Sequence, residues 1–115
     1  MISWENVGDD EELKELNALK KFVTGDYVKI AILEQLVKGG WCTLSELCRA
    51  ARGYDRYVGH VRVSTILQYM ESIAKGILEK AENEFSVKWR IRPEKKKDIE
   101  GWIGEIKSTP YRKSF

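Results

Sequence analysis

Residues 59–75 are the stretch that most constrains how this 115-residue chain can fold. Apolar residues recur there with the 3.6-residue period that places them on one stripe of a helix. These residues are Val63, Ile66, Leu67, Met70, Ile73 and Ala74. We therefore predict an amphipathic helix over residues 61–75, which Gly76 ends in a left-handed conformation. The opposite face carries mostly short side chains that fit into a groove, namely Val61, Ser64, Thr65, Gln68, Ser72 and Lys75.

The helix predicted over residues 27–38 is apolar over most of its circumference. A helix of this kind is buried between other elements, so we expect it at the centre of the core. Asp26 precedes it as a predicted N-cap, and Gly39–Gly40 interrupt it. The next residues, Trp41–Cys42, are compatible with a short strand.

Thr43 and Glu46 begin the following helix with the spacing of a capping box, in which each side chain binds the backbone of the other residue. This helix is predicted to run to Arg52. Residues 53–59 then form a loop that leads into the amphipathic helix, and the loop contains tyrosines and arginines.

Two strands are predicted after the amphipathic helix, over residues 77–81 and 85–92. In the second strand apolar residues alternate with polar ones, which is typical of a strand with one buried face. The inward face is predicted to consist of Phe85, Val87, Trp89 and Ile91. The outward face is largely basic and consists of Ser86, Lys88, Arg90 and Arg92. A short turn around Asn83 joins the strands as a hairpin.

Helices are also predicted near both ends of the chain, over residues 9–23 and 94–107. Each carries a narrow apolar stripe that needs a partner, because a short helix is marginal on its own in water. The two helices must therefore pack on the domain or on a second chain. Residues 108–115 are predicted to form a loose tail.

The composition indicates one small globular domain. With 43% hydrophobic and 33% charged residues the chain can bury a core, and no apolar run approaches the roughly 18 residues of a membrane span. Residues 1–5 lack the basic start and the apolar block of a signal peptide. We therefore expect a cytoplasmic protein with no membrane partner.

The residue types do not support catalytic, metal or cofactor chemistry. The chain has two cysteines, Cys42 and Cys48, and one histidine, which is too few for a structural zinc site. Six residues span about 9 Å along a helix, which is too far for a disulfide. We predict buried free thiols, no metal, no cofactor and no enzymatic activity.

The net charge of +2 hides an uneven distribution. Residues 1–25 carry six acidic residues against three lysines, whereas residues 49–62 carry four arginines against one aspartate. An acidic arm thus precedes an arginine-rich centre, and this local concentration says more about partners than the total charge does.

The predicted elements over residues 26–92 follow the order helix, short strand, helix, helix and two-stranded hairpin. This order resembles the winged helix-turn-helix domain, and in particular small archaeal or viral regulators. The segments that carry the resemblance are TLSEL at 43–47, VSTILQYM at 63–70, IAKGILE at 73–79 and VKWRI at 87–91. The resemblance implies a mainly α fold with a small β-hairpin (α+β), in which a winged helix-turn-helix core has extra N- and C-terminal helices. The divisions are then an arm at 1–25, the winged-helix domain at 26–92, a C-terminal helix at 93–107 and a tail at 108–115.

The same resemblance implies sequence-specific binding of double-stranded DNA by a transcription regulator. In this family the third helix, here residues 61–75, lies in the major groove, and the hairpin, here residues 77–92, acts as a wing. The residues implied to read bases are Val61, Ser64, Thr65 and Gln68. The residues implied to bind phosphates are Arg52, Arg56, His60, Arg62, Lys88 and Arg90.

Extra terminal helices often form the dimer in such regulators, and a two-fold dimer matches a palindromic operator. The resemblance therefore implies a homodimer. Its candidate surface consists of Leu13, Leu16, Leu19, Ile99, Trp102, Ile103 and Ile106. The alternative is that both helices fold back on their own domain, because a small domain needs more core.

Two features depart from the family. The loop over residues 53–59 is long, and the hairpin turn is short and acidic, with Glu82 and Glu84. The modest net charge, the acidic arm and the acidic turn favour a winged-helix module that binds protein, as a scaffold or accessory subunit of a larger assembly. The terminal helices and Trp41 would then be its contact surface. Arginines that converge with Ser64 and Gln68 on one exposed face would favour DNA, whereas dispersed or internally paired arginines would favour protein.

Overall fold

Five α-helices and three β-strands are present in residues 6–108, the part of the chain that the computed structural model describes, with side chains described for residues 13–107. The helices are α1 (Asn6–Val23), α2 (Tyr27–Gly39), α3 (Leu44–Arg52), α4 (His60–Ile73) and α5 (Lys96–Ser108). The strands are β1 (Cys42–Thr43), β2 (Leu78–Glu82) and β3 (Val87–Ile91), and a 3-10 helix at Pro93–Lys95 leads into α5. The protein is therefore mainly helical with one small antiparallel sheet, as predicted.

Helix α2 lies at the centre of the core because it is apolar on nearly every side. Its buried residues are Val28, Ile30, Ala31, Ile32, Leu33, Leu36 and Val37. The Asp26 carboxylate caps the helix by accepting the backbone N–H groups of Val28 at 3.0 Å and Lys29 at 3.2 Å. At the other end Gly40 has a φ of +65°, which residues with a side chain rarely adopt, so the chain can turn there. The predicted N-cap, burial and stop are confirmed.

The capping box predicted at the start of α3 is present. The Thr43 hydroxyl accepts the N–H of Glu46 at 3.2 Å, and the Glu46 carboxylate accepts the N–H of Thr43 at 2.9 Å. These bonds satisfy N–H groups that the first turn of a helix leaves unpaired. Hydrogen bonds from the Thr43 backbone, and then from its hydroxyl, also lower the pKa of Glu46, because they stabilise the ionised carboxylate.

We expect Glu46→Gln to destabilise the protein at neutral pH, because a neutral amide accepts the Thr43 N–H more weakly than a carboxylate does. A group whose pKa is lowered in the folded state stabilises the fold above its unfolded-state pKa. That stabilisation is lost as the pH falls through the folded-state pKa. The difference in urea midpoint between the native chain and Glu46→Gln should therefore shrink from about pH 7 to about pH 3. A difference that stays constant over this range would show that the Glu46 charge does not contribute.

The three strands form one antiparallel sheet in the order β1-β3-β2. Trp89 of β3 lies opposite Cys42 of β1 and Lys80 of β2. Its ring is buried, and its indole N–H donates to the Glu71 carboxylate on α4 at 2.5 Å. The face of the sheet that carries Trp89 therefore lies toward α4, and this contact holds the hairpin beside that helix.

The second hairpin strand is shorter than predicted, the first lies one residue later than predicted, and the inward position of Phe85 is wrong. The other predicted inward residues of β3 are buried or half-buried, but Phe85 is 92% exposed and lies in the turn. The Asn83 side-chain oxygen accepts the N–H groups of Phe85 and Ser86 at 2.8 and 2.9 Å. The Asn83 N–H also donates to the Ser86 carbonyl. These bonds make residues 83–86 a turn, which removes Phe85 from the strand.

Helix α4 ends earlier than predicted, at Ile73, and Gly76 does not end it in a left-handed conformation. Within the described residues, the glycines with positive φ are Gly25 and Gly40. Gly76 instead binds α1 through its backbone. Its N–H donates to Glu15 of α1 at 2.8 Å, and a Cβ there would lie 2.7 Å from the second carboxylate oxygen of Glu15. The hydrogen bond ties α1 to the turn between α4 and β2, and a side chain at residue 76 would require the Glu15 carboxylate to move.

Both terminal helices pack on their own domain, and most residues of the predicted homodimer surface contribute to its core. Four residues of that surface are at most 8% exposed and belong to the core, namely Leu19, Ile99, Ile103 and Ile106. Leu16 and Trp102 are half-buried against that core, whereas Leu13 is 54% exposed. The physical reason is that a chain of this length needs the additional apolar area for its own core. The four core residues are therefore not free to form an interface between two chains.

Both cysteines are buried free thiols, as predicted. The Cys42 thiol donates to the carbonyl groups of Gln35 and Gly40, at 3.5 and 3.4 Å. Burial raises the pKa of Cys42, so this thiol stays protonated at neutral pH.

Residues 1–5 and 109–115 lie outside the described residues, and so do the side chains of residues 6–12. Most of the predicted tail and the acidic cluster Asp9–Glu12 are among them. In the part of the chain from residue 6 to residue 108, no helix has the length and the apolar character needed to cross a membrane.

Candidate nucleic-acid interface

Three of the four residues predicted to read bases lie on the exposed face of α4. Val61 is 83% exposed, Thr65 and Gln68 are also exposed, and Ser64 is half-buried. The helix is oriented this way because its apolar stripe is buried, namely Val63, Ile66, Leu67 and Met70. With the spacing i, i+4 and i+7, Val61, Thr65 and Gln68 form one line along the helix.

Two hydroxyl groups on α4 are bound to its own backbone. Thr65 donates to the Val61 carbonyl at 2.9 Å, and Ser72 donates to the Tyr69 carbonyl at 2.8 Å. The Gln68 amide forms no hydrogen bond with another described residue, and it is exposed. Gln68 is therefore the side chain of this line whose donors and acceptor are all available to a ligand.

Arg52 and Asp55 give the long loop between α3 and α4 a defined shape. The Arg52 Nε group donates to the Val58 carbonyl at 3.0 Å. The Asp55 carboxylate accepts the N–H of Tyr57 at 3.0 Å and pairs with the Arg62 guanidinium at 3.3 Å. These contacts tie the loop to the first turn of α4.

Three of the predicted phosphate-binding residues lie in this loop and in the first turn of α4. They are Arg56, His60 and Arg62, and all three are exposed. The Arg56 guanidinium lies 5.3 Å from the centre of the Tyr57 ring. Arg62 pairs with Asp55, but the two side chains are 51% and 39% exposed, so the pair is open to water and weak. Arg56 and His60 form no ion pair with another described residue. Arg56 is therefore the available cation at this end of α4, and the exposed His60 ring lies at the first position of the helix.

Lys88 and Arg90 lie on the opposite face of the sheet from Trp89, because side chains alternate along a strand. Since Trp89 faces α4, both cations point away from that helix. Arg90 is also paired with Glu79 of β2, and its guanidinium lies 4.6 Å from the centre of the Trp41 ring. The structure therefore does not bring Lys88 and Arg90 together with the exposed face of α4, and it compensates the charge of Arg90 within the chain.

A groove between α4 and β2 contains two cations. Lys75 belongs to the predicted outer face of the helix, whereas the sequence pattern did not single out Lys80. The groove has a volume of about 420 Å³ and is lined by Gln68, Glu71, Ser72, Lys75, Leu78 and Lys80. Lys80 lies opposite Trp89 across the sheet, and therefore on the α4 side. The direction of Lys80 was predictable from the sequence. Side chains alternate along a strand, so Lys80 lies on the same face of β2 as Leu78, which is buried.

Comparison of this chain with protein-family models, with curated proteins and with solved structures gives no match. Function is therefore inferred from the fold and from the placement of its side chains. The described residues define a mainly helical α+β protein in which one exposed helix face lies between two sets of cations.

Proposed function

We propose that the protein binds double-stranded DNA in a sequence-specific manner, as a transcription regulator with a winged helix-turn-helix domain. In this proposal α4 enters the major groove and the β2–β3 hairpin is the wing. The observation that carries the proposal is the exposed line on α4 with available cations beyond both of its ends. The element order α2, β1, α3, α4, β2, β3 supports it, because it agrees with the order on which the resemblance to the family rests.

The cations at the two ends of α4 are suitably spaced for phosphate binding. The helix has 14 residues, which corresponds to a length of about 21 Å. The major groove is about 12 Å wide, so a helix of this length reaches the backbone on both sides. Arg56 precedes the helix and His60 begins it, and Lys75 and Lys80 follow it, so each end carries two positions for a phosphate.

A protein-binding module is the second candidate, and the hairpin turn is the observation that favours it. Phe85 is 92% exposed on a turn that the Asn83 side chain holds in shape, and Glu82 and Glu84 beside it are exposed. An acidic turn repels phosphates, whereas an exposed aromatic ring suits a protein surface. In this case the domain would serve as a scaffold or an accessory subunit of a larger assembly.

The DNA proposal is tested by titrating a fluorescent mixed-sequence duplex with the protein and following anisotropy at several salt concentrations. We expect the logarithm of the affinity to fall linearly with the logarithm of the salt concentration, because bound cations displace counterions. Arg56→Ala should weaken binding to all sequences alike and reduce the salt slope by about 1. The control is Lys97→Ala, which removes one exposed charge from α5 and should leave the slope unchanged.

Two results would count against the proposal. If no duplex binds even at low salt and high protein concentration, DNA binding is excluded and the protein-binding module becomes the leading candidate. If Arg56→Ala and Lys97→Ala lower the affinity equally, binding depends on total charge and not on a contact at the start of α4.

A further inference from the structure

The exposed line on α4 presents methyl groups at two of its three positions. Val61 is a valine with 83% of its surface exposed. Thr65 is exposed as well, but its hydroxyl donates its hydrogen to the Val61 carbonyl at 2.9 Å. The hydroxyl therefore has no hydrogen left to donate, although its oxygen can still accept one, and the methyl group is the apolar part of Thr65. The line thus offers apolar groups at Val61 and Thr65 and an amide at Gln68.

The polar chemistry of the line favours adenine over guanine. A glutamine amide forms two hydrogen bonds with the N6 and N7 atoms of adenine, whereas guanine is read most often by arginine or lysine. The line carries no arginine or lysine. The arginine of α4 is Arg62, which follows Val61 and lies about 100° around the helix from it, outside the line. Thymine is the base that offers a methyl group in the major groove, so Val61 and Thr65 match it.

We infer that α4 selects A·T-rich DNA, with Val61 and Thr65 against thymine methyl groups and Gln68 on an adenine. This inference rests on the proposed function and names the sequence class that it reads. At 1.5 Å of rise per residue, Val61 and Thr65 are about 6 Å apart along the helix, and Val61 and Gln68 about 10.5 Å. Base pairs are about 3.4 Å apart, so these distances correspond to at most about two and three base steps, and to fewer where the helix crosses the groove.

The inference is tested first by selecting the best-binding duplexes from a random-sequence pool with the full chain. We expect the selected duplexes to contain an A·T-rich core of about four base pairs. Thymines in this core are then replaced one at a time by deoxyuridine, which removes the methyl group and keeps the base pair and the backbone charge. Each contacted methyl should contribute about fourfold in affinity. The salt slope should not change, because the phosphate contacts are retained.

Two variants at one position separate the methyl group from the hydroxyl group. Thr65→Val keeps a methyl group and removes the hydroxyl, so it should retain the loss of affinity on deoxyuridine substitution. Thr65→Ser keeps the hydroxyl and removes the methyl, so it should bind the thymine and deoxyuridine duplexes equally at the contacted position. Circular dichroism checks that both variants fold.

The outcomes distinguish this inference from the proposed function. A G·C-rich selected core overturns the inference and leaves DNA binding intact. So does a thymine preference that Thr65→Ser retains and Thr65→Val loses, because the hydroxyl would then be the reading group. Failure of every duplex to bind overturns both the inference and the proposed function.

Discussion

Leu33→Ala is expected to lower the free energy of unfolding by about 2–5 kcal/mol. Leu33 is fully buried in the middle of α2, the helix that the rest of the domain surrounds. Removing its side chain forfeits apolar burial and leaves a cavity, because the surrounding side chains relax only in part. Small domains have a total stability of about 5–15 kcal/mol, so this single change removes a large share of it.

The matched control is Leu13→Ala, which makes the same chemical change at a residue that is 54% exposed. We expect it to change the free energy of unfolding by at most about 0.5 kcal/mol. Urea denaturation of both variants, followed by circular dichroism, measures the difference. Similar losses at the two positions would contradict the central place of α2 in the core and would point to an effect of leucine content alone.

Glu79→Ala is expected to lower the free energy of unfolding by about 1–3 kcal/mol. The Glu79 carboxylate binds two guanidinium groups, those of Arg90 and Arg92, and the Arg92 contact is 2.9 Å long. The Glu79 and Arg90 side chains are 22% and 31% exposed, so water replaces the lost hydrogen bonds only in part. The Arg92 Nε atom is already buried without a partner among the described residues. Within this part of the chain, no other acceptor at the site is therefore placed to replace the Glu79 carboxylate.

The control for Glu79→Ala is Glu105→Ala, which removes a carboxylate from an exposed ion pair. Lys20 and Glu105 are 3.7 Å apart, and their side chains are 42% and 73% exposed. Pairs of this kind contribute about 0–1 kcal/mol. Glu79→Gln keeps the volume and one acceptor oxygen and should fall between the other two variants. Equal stability of Glu79→Ala and Glu105→Ala would contradict the role of Glu79 in holding β2 to β3.

The features of the fold that sequence patterns predicted are those with a local physical cause. The cap at Asp26 and the capping box of Thr43 and Glu46 join groups two or three residues apart. The burial of α2 and of one face of α4 follows from the helical period. The period determines which faces of a helix are apolar, and removing apolar surface from water is favourable. The line of Val61, Thr65 and Gln68 on α4 was predictable for the same reason.

The features that the sequence did not predict depend on residues far apart in the chain. Gly76 has its role because Glu15, 61 positions away, approaches its N–H. Leu19 and Ile99 looked equally able to bind a second chain, because a periodic stripe shows that a partner is needed and not which one. Packing decided this in favour of their own core.

The candidate site has a local part and a long-range part. Which side chains α4 presents follows from the sequence, since the direction of a side chain from a helix depends on its position in a fixed period. Which charges are available depends on contacts between elements that are distant in the chain. Glu79 compensates Arg90 across the hairpin, Asp55 approaches Arg62, and Lys80 is turned toward α4. A charge is available or compensated according to what lies within a few ångströms of it, and that distance is set only when the strands and helices have packed.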